Sequence, residues 1–151
     1  MRRNREITLL LGLLLTAIGC GGEESSQGSR PRCGLCGMVV EPDSGWRSGG
    51  RDAEGTELSF DTPKCLLRQH RTRGPVTEPW VIEYYSQARR PADVLFYVIG
   101  SDVEGPMGRD LVPVEGRDRA DGFREDHGGA RVLSFEEVSG EVVDELFRPR
   151  G

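Results

Sequence analysis

Apolar positions fall into two regimes along this 151-residue chain. Over residues 7–18 they are nearly continuous, whereas beyond residue 32 they come in short bursts punctuated by glycine, proline and acidic residues. The first burst, MVV at 38–40, is a short β-prone segment closed by the turn-forming EPDSG. Segments at 46–52 and 56–60 flank AEG and predict a hairpin. The second runs into SFDTPKCLLRQHR, a predicted helix. Asp61 or Thr62 is available as its N-cap, and Pro63 sits at the first helical position, where a missing N–H is not needed. Leu66, Leu67 and His70 then share the inner stripe, and RTRGP ends the helix.

Farther along, PWVIEYY and DVLFYVIG carry the strongest strand patterns. The latter is almost unbroken apolar sequence, as a strand buried on both faces requires. SDVEGPMG reads as a loop, and DLVPV as a short strand that Pro113 places at a sheet edge. RADGFREDHGG predicts a short helix ending at Gly128 and Gly129. ARVLSF predicts a strand, and EEVSGEVVDELF a closing helix with Val138, Val142, Val143, Leu146 and Phe147 on one side. ELSFDTPKCLL and RVLSFEEVSGEVV both pass through Leu-Ser-Phe-acid into a helix, and each lies downstream of a glycine-flanked methionine, Met38 or Met107. The pattern predicts an α+β fold of two similar strand-strand-helix halves, about 33–75 and 76–151, with the two methionines in equivalent places. The length suits one compact body over 33–151.

The N-terminal regime is different. Arg2, Arg3 and Arg5 precede an apolar run shorter than the ~20 residues a membrane-spanning helix needs, so residues 1–19 read as a secretory signal. Ala17-Ile18-Gly19-Cys20 resembles a bacterial lipobox, which makes Cys20 the expected lipidated N-terminus of a protein anchored on the periplasmic side of a bacterial membrane. Residues 20–32 then form a polar, Gly/Ser-rich tether. Residues 1–19 hold three of the 20 basic and one of the 25 acidic residues, leaving a mature chain of net charge −7. That acidity excludes a nucleic-acid partner as the working assumption.

With Cys20 assigned to lipid, three cysteines remain in an oxidising compartment: Cys33, Cys36 and Cys65. The segment CGLCGM admits several readings. A thioredoxin-like redox pair would open a helix, but GMVV follows. Covalent haem attachment needs histidine where Gly37 stands. A structural zinc site can begin with CxxCG and use Cys65, with His70 as a possible fourth ligand, although residues five apart on a helix diverge by ~140°. A disulfide among the three cysteines is the plain alternative. The methionines favour a softer metal, because Met38 and Met107 sit in glycine-flanked irregular segments unsuited to filling a helix or strand core. A thioether is neutral, cannot be lost to a disulfide and suits Cu(I). In an extended chain residues two apart point the same way, so Cys36 and Met38 can share an ion that Met107 completes from a distant turn.

At these residues the chain resembles the NosL-type lipoproteins, copper chaperones associated with maturation of nitrous oxide reductase. The resemblance rests on Cys20, CGM at 36–38, SFDTPKC at 59–65, FYVIGS at 96–101, PMG at 106–108 and HGG with LSFEE between 127 and 137. It implies a fold of two similar α+β halves related to small domains of organomercurial lyase. It also implies a non-enzymatic Cu(I) carrier with Cys36, Met38 and Met107 as ligands, serving a copper-accepting enzyme or another copper carrier. Cys33 and Cys65 are additional metal or disulfide candidates, and His127 supports the HGG turn. The competing expectation is a small lipoprotein interaction domain held by zinc or a disulfide. An organometal-handling enzyme is the third, disfavoured because fold does not transfer activity and no acid/base residue neighbours the cysteines in sequence.

Overall fold

Two antiparallel sheets, bound together by short helices, account for the described residues, 30–149, of the computed structural model. The expected signal segment, Cys20 and the tether up to residue 29 lie outside the described residues. The expected hairpin is present as β1 (Ser48–Arg51) and β2 (Glu57–Phe60), paired from Ser48↔Phe60 to Arg51↔Glu57. Its turn is held by Asp52, whose carboxylate accepts the N–H groups of Glu54 and Thr56 at 3.0 and 2.7 Å. β1 is an inner strand, flanked on its other side by β3 (Thr77–Ile82), which pairs in turn with β4 (Arg89–Pro91). This position explains a glycine within β1. A Cβ on Gly49 would lie 2.6 Å from the Leu58 carbonyl oxygen and 2.8 Å from the Trp80 ring.

The second sheet has the order β6-β5-β7, with β5 (Phe96–Ile99) between β6 (Leu111–Val114) and β7 (Arg131–Ser134). Pro113 lies on an edge strand, as expected, where no ladder hydrogen bond is lost. β5 is buried on both faces. Tyr97 and Ile99 join the main core with Phe60, Cys65, Leu66, Val81, Leu111 and Val143, while Val98 joins a second cluster with Val112, Val114, Ala120 and Phe123 beneath α2 (Arg117–Asp126). Strand alternation divides one apolar run between two cores.

Each sheet sends one strand into a helix of the main core. β2 leads to α1 (Pro63–Arg68), with Thr62 as N-cap and Pro63 at the first position; a single π-helical turn, Gln69–Arg73, extends it to Gly74. β7 leads through a turn to α3 (Gly140–Phe147), whose N-cap Ser139 accepts the Val142 N–H. α1 and α3 pack against each other. The α+β architecture of two similar parts is therefore present.

Several local expectations differ from what is observed. MVV is not a strand; Val39 makes an isolated bridge to Arg32. The first sheet runs through Pro91, past the division expected near residue 75, because β3 pairs with β1 and β4 with β3 rather than opening the second half. Met38 precedes an inner strand and Met107 an edge strand, so the two are not equivalently placed. His70 is only partly buried, because its Nδ1 accepts the Val76 N–H at 3.0 Å.

PWVIEYY stays extended only to Ile82, since Glu83 closes a turn. The Glu83 side chain is fully buried and accepts the Ser86 N–H and hydroxyl, both at 2.6 Å, and the Glu115 N–H at 3.3 Å. Tyr84 N–H donates to the Pro113 carbonyl nearby, so this turn ties the two sheets together. Burial alone would push the Glu83 carboxyl up, but the hydrogen bonds from Ser86, Tyr85 and Glu115 outweigh it and hold the group below the usual glutamate range. Its stabilisation is thus present above the unfolded-state value and is lost as pH falls through the lower folded-state value. Glu83→Gln is expected to cost about 1–2 kcal/mol at neutral pH, the difference between charged and neutral acceptors. In urea unfolding at a series of pH values, the gap to the parent should close in the acid range.

Candidate metal centre

Residues 33–38 fold into a tight loop. Cys33 N–H donates to the Met38 carbonyl at 2.8 Å, and Gly37 N–H returns to the Cys33 carbonyl at 2.9 Å. Gly37 takes φ +77°, a left-handed conformation that glycine adopts without strain. The loop docks on the edge of β2 through Gly34 N–H to the Ser59 carbonyl at 2.9 Å, and Arg32 caps the Gly37 carbonyl at 3.0 Å. β2 continues through Asp61 and Thr62 into the first turn of α1, which carries Cys65. One strand thus anchors the loop by its edge and the helical cysteine by its end.

The result is a cluster of three sulfurs. Sγ atoms of Cys33, Cys36 and Cys65 all lie within 4.8 Å of one another, with Cys36 and Cys65 4.0 Å apart. All three cysteines are free. Cys33 and Cys65 are 3% and 0% exposed, whereas Cys36 is open to solvent. The arrangement can bind a thiophilic cation entering past Cys36.

Neighbouring groups share out the protons. The Cys65 thiol donates to Cys33, and against the opposing effect of burial this, with the N–H groups of Asp61, Cys36 and Leu35, lowers the Cys33 thiol to about 5. Cys65 is pushed up, first because its proton is held by Cys33 and then by burial. Burial is also the main cause that raises Cys36. Asp61 sits above the usual carboxylate range through burial and the adjacent Cys33 charge. The metal-free cluster is therefore one thiolate sharing protons with two thiols.

The methionines lie differently from expectation. The left-handed turn at Gly37 replaces the extended geometry expected for 36–38, so Met38 emerges past the loop at 41% exposure. Met107 is half-buried and packs against the core cluster that includes Cys33 and Cys65, contrary to the expectation that its glycine-flanked setting would keep it off a core. It lies within a two-residue turn closed by reciprocal Gly105–Gly108 hydrogen bonds of 2.9 and 3.0 Å. A groove of about 300 Å³ runs beside it, lined by Lys64, Arg109, Leu146 and Phe147. His70 is engaged with Val76 N–H and the Phe135 ring, and no histidine, aspartate or glutamate joins the cysteine cluster among the described residues. His127 accepts the Asp102 N–H on its carbonyl and pairs Nδ1 with the Asp102 carboxylate at 2.9 Å, which fits a role at the HGG turn.

Sequence reasoning missed two residues here. Lys64, with its side chain 2% exposed, donates to the carbonyls of Met107 and Arg109 at 2.9 and 2.7 Å and faces the fully buried Asp110 carboxylate at 3.9 Å. Its one signal was being the only lysine in an arginine-rich chain.

A family model described as NosL matches residues 26–143. Among solved structures, the crystal structure of the copper chaperone NosL from Shewanella denitrificans is similar, with a TM-score of 0.63 and 20% identity over 73% of this chain and 90% of that one. At that identity the likeness speaks to the fold. Comparison with curated proteins finds no match.

The shared proton is open to test. Replacing Cys65 with alanine removes the thiol that holds Cys33 low, so the first thiolate to form in the metal-free protein should appear at higher pH, toward the ordinary thiol range near ~8–9. Ultraviolet titration under anaerobic conditions reads this directly.

Proposed function

The chain belongs to the NosL family, and from that premise we propose that it is a non-enzymatic extracytoplasmic Cu(I) carrier. Residues 1–19 are its export signal, lipid on Cys20 anchors it to the membrane, and residues 20–32 tether the domain of 33–151. Its copper goes to a copper enzyme such as nitrous oxide reductase. The observation that carries this reading is the cluster of three free cysteine sulfurs within 4.8 Å, exposed only through Cys36.

Cu(I) is a soft ion satisfied by few thiolate and thioether ligands. Cys36 and Met38 form the open side of the site, Met107 supplies a thioether from the loop before β6, and Cys33 and Cys65 stand behind as further sulfur donors. More soft ligands than one ion needs permit stepwise replacement. A receiving protein can take the ion from the exposed side while the buried sulfurs still hold it, which suits delivery. The copper chaperone from Shewanella denitrificans, which shares the fold, supports the same use.

The alternative is an interaction domain with structural zinc. The three cysteines and the tight CxxCG loop favour it, although zinc sites commonly take four protein ligands or leave one position to water. Anaerobic competition titration of residues 21–151 with Cu(I) and Zn(II), with metal content measured after expression, separates the two. One tightly held Cu(I) per chain that zinc does not displace supports the carrier; preferential zinc retention supports the alternative. Cys36→Ser should weaken Cu(I) by at least ~100-fold and Met107→Ala by about 10-fold with the fold intact, since even outer contacts at metal sites are worth ~10–100-fold. Unchanged affinity in Cys36→Ser would sink the reading, and unchanged affinity in Met107→Ala would remove Met107 from the ligand set.

A further inference from the structure

The turn that carries Met107 makes two backbone hydrogen bonds of its own, between Gly105 and Gly108. These fix its shape but not its direction. Direction comes from two side chains that tie the loop to the helices on either side, one reaching in from α1 and one reaching out to α3. Lys64, next to Cys65 in α1, places its ammonium on the carbonyls of Met107 and Arg109. Arg109 extends its guanidinium to the carbonyls of Glu145 and Arg148 at the end of α3, at 2.9 and 2.7 Å. Asp110 completes the arrangement by accepting the backbone N–H of Lys64 and of Leu111, both at 2.9 Å.

A buried lysine is an expensive way to hold a loop, because its ammonium must be taken out of water and given partners. Here the partners are two carbonyl oxygens of the methionine loop and one carboxylate, and the side chain is closed off from solvent. The groove beside Met107 is lined by this same lysine and by Arg109. The ammonium therefore acts on the backbone of Met107 itself, and its own position is set by the helix turn that also sets Cys65.

We propose that Lys64 is the positioning residue of the copper site: through the Met107 and Arg109 carbonyls it holds the Met107 thioether in register with the cysteine cluster, with Arg109 as the second anchor. This rests on the reading of Met107 as a Cu(I) ligand. Lys64 touches no metal in this scheme and acts only through Met107.

The test is a double-variant cycle read by Cu(I) competition and by counting sulfur neighbours of bound copper with X-ray absorption. Lys64→Leu, which keeps most of the apolar side-chain bulk, adds no sulfur and cannot donate, should weaken Cu(I) by about 10-fold, the scale of outer contacts at metal sites. It should also remove one sulfur from the copper shell. Combined with Met107→Ala, it should cost no more than Met107→Ala alone. Additive losses, or an unchanged sulfur count in Lys64→Leu, overturn the proposal. Should Lys64→Leu fail to fold, Arg109→Ala cuts the second anchor and must show the same non-additivity with Met107→Ala; independent effects there overturn it as well. If Met107→Ala itself leaves affinity and sulfur count at the parent values, the fault lies in the ligand assignment, and the positioning role falls with it.

Discussion

One carboxylate oxygen joins the two parts of this molecule. Asp110 Oδ1 accepts the backbone N–H of Lys64 at the start of α1 and that of Leu111 at the start of β6, both at 2.9 Å. The side chain is completely buried, and burial pushes its carboxyl up to about 7 against the pull of its hydrogen-bond donors and the Lys64 charge. Such a group is costly to enclose and strongly destabilising to leave half-paired, so its neighbours are held to one arrangement. α1 is thereby set against the second sheet, and Phe60, Cys65, Leu66 and Leu67 enter a core shared with Tyr97, Leu111, Val143 and Leu146.

With α1 fixed, β2 becomes the reference for the sulfur cluster. Its edge holds the Cys33–Met38 loop at Ser59, and its C-terminal end feeds the helix that carries Cys65. The cluster thus inherits its geometry from a strand buried at Phe60 rather than from flexible side chains. Two of its cysteines are closed off and one is open, which gives the site a single direction of approach.

The second part repeats the strand-to-helix step but not the chemistry. β7 runs through Leu133, Ser134 and Phe135 toward α3 as β2 runs through Leu58, Ser59 and Phe60 toward α1. Counted from the phenylalanine, the fifth residue is Cys65 in one and Gly140 in the other. α3 instead supplies packing against α1 and backbone carbonyls for Arg109.

Local rules made much of this legible in the sequence. Pro63 marked a helix start, the unbroken run at 96–99 a strand buried on both faces, Pro113 an edge, and the segments around AEG a hairpin; each depends on dihedral limits or periodicity within a few residues. The same reading named all three cysteines of the cluster but ranked sulfurs by sequence neighbourhood, pairing Cys36 with Met38 and keeping Cys33 and Cys65 as additional candidates. Tertiary structure alone brings the three cysteines together: Cys36 and Cys65 are 29 residues apart in the chain and 4.0 Å apart in space. It also decided the short strand β4, the packing of Met107 on the core, and the burial of Lys64. These depend on contacts between distant segments, which carry no local periodicity, whereas helix starts, edges and turns are written in the residues that form them.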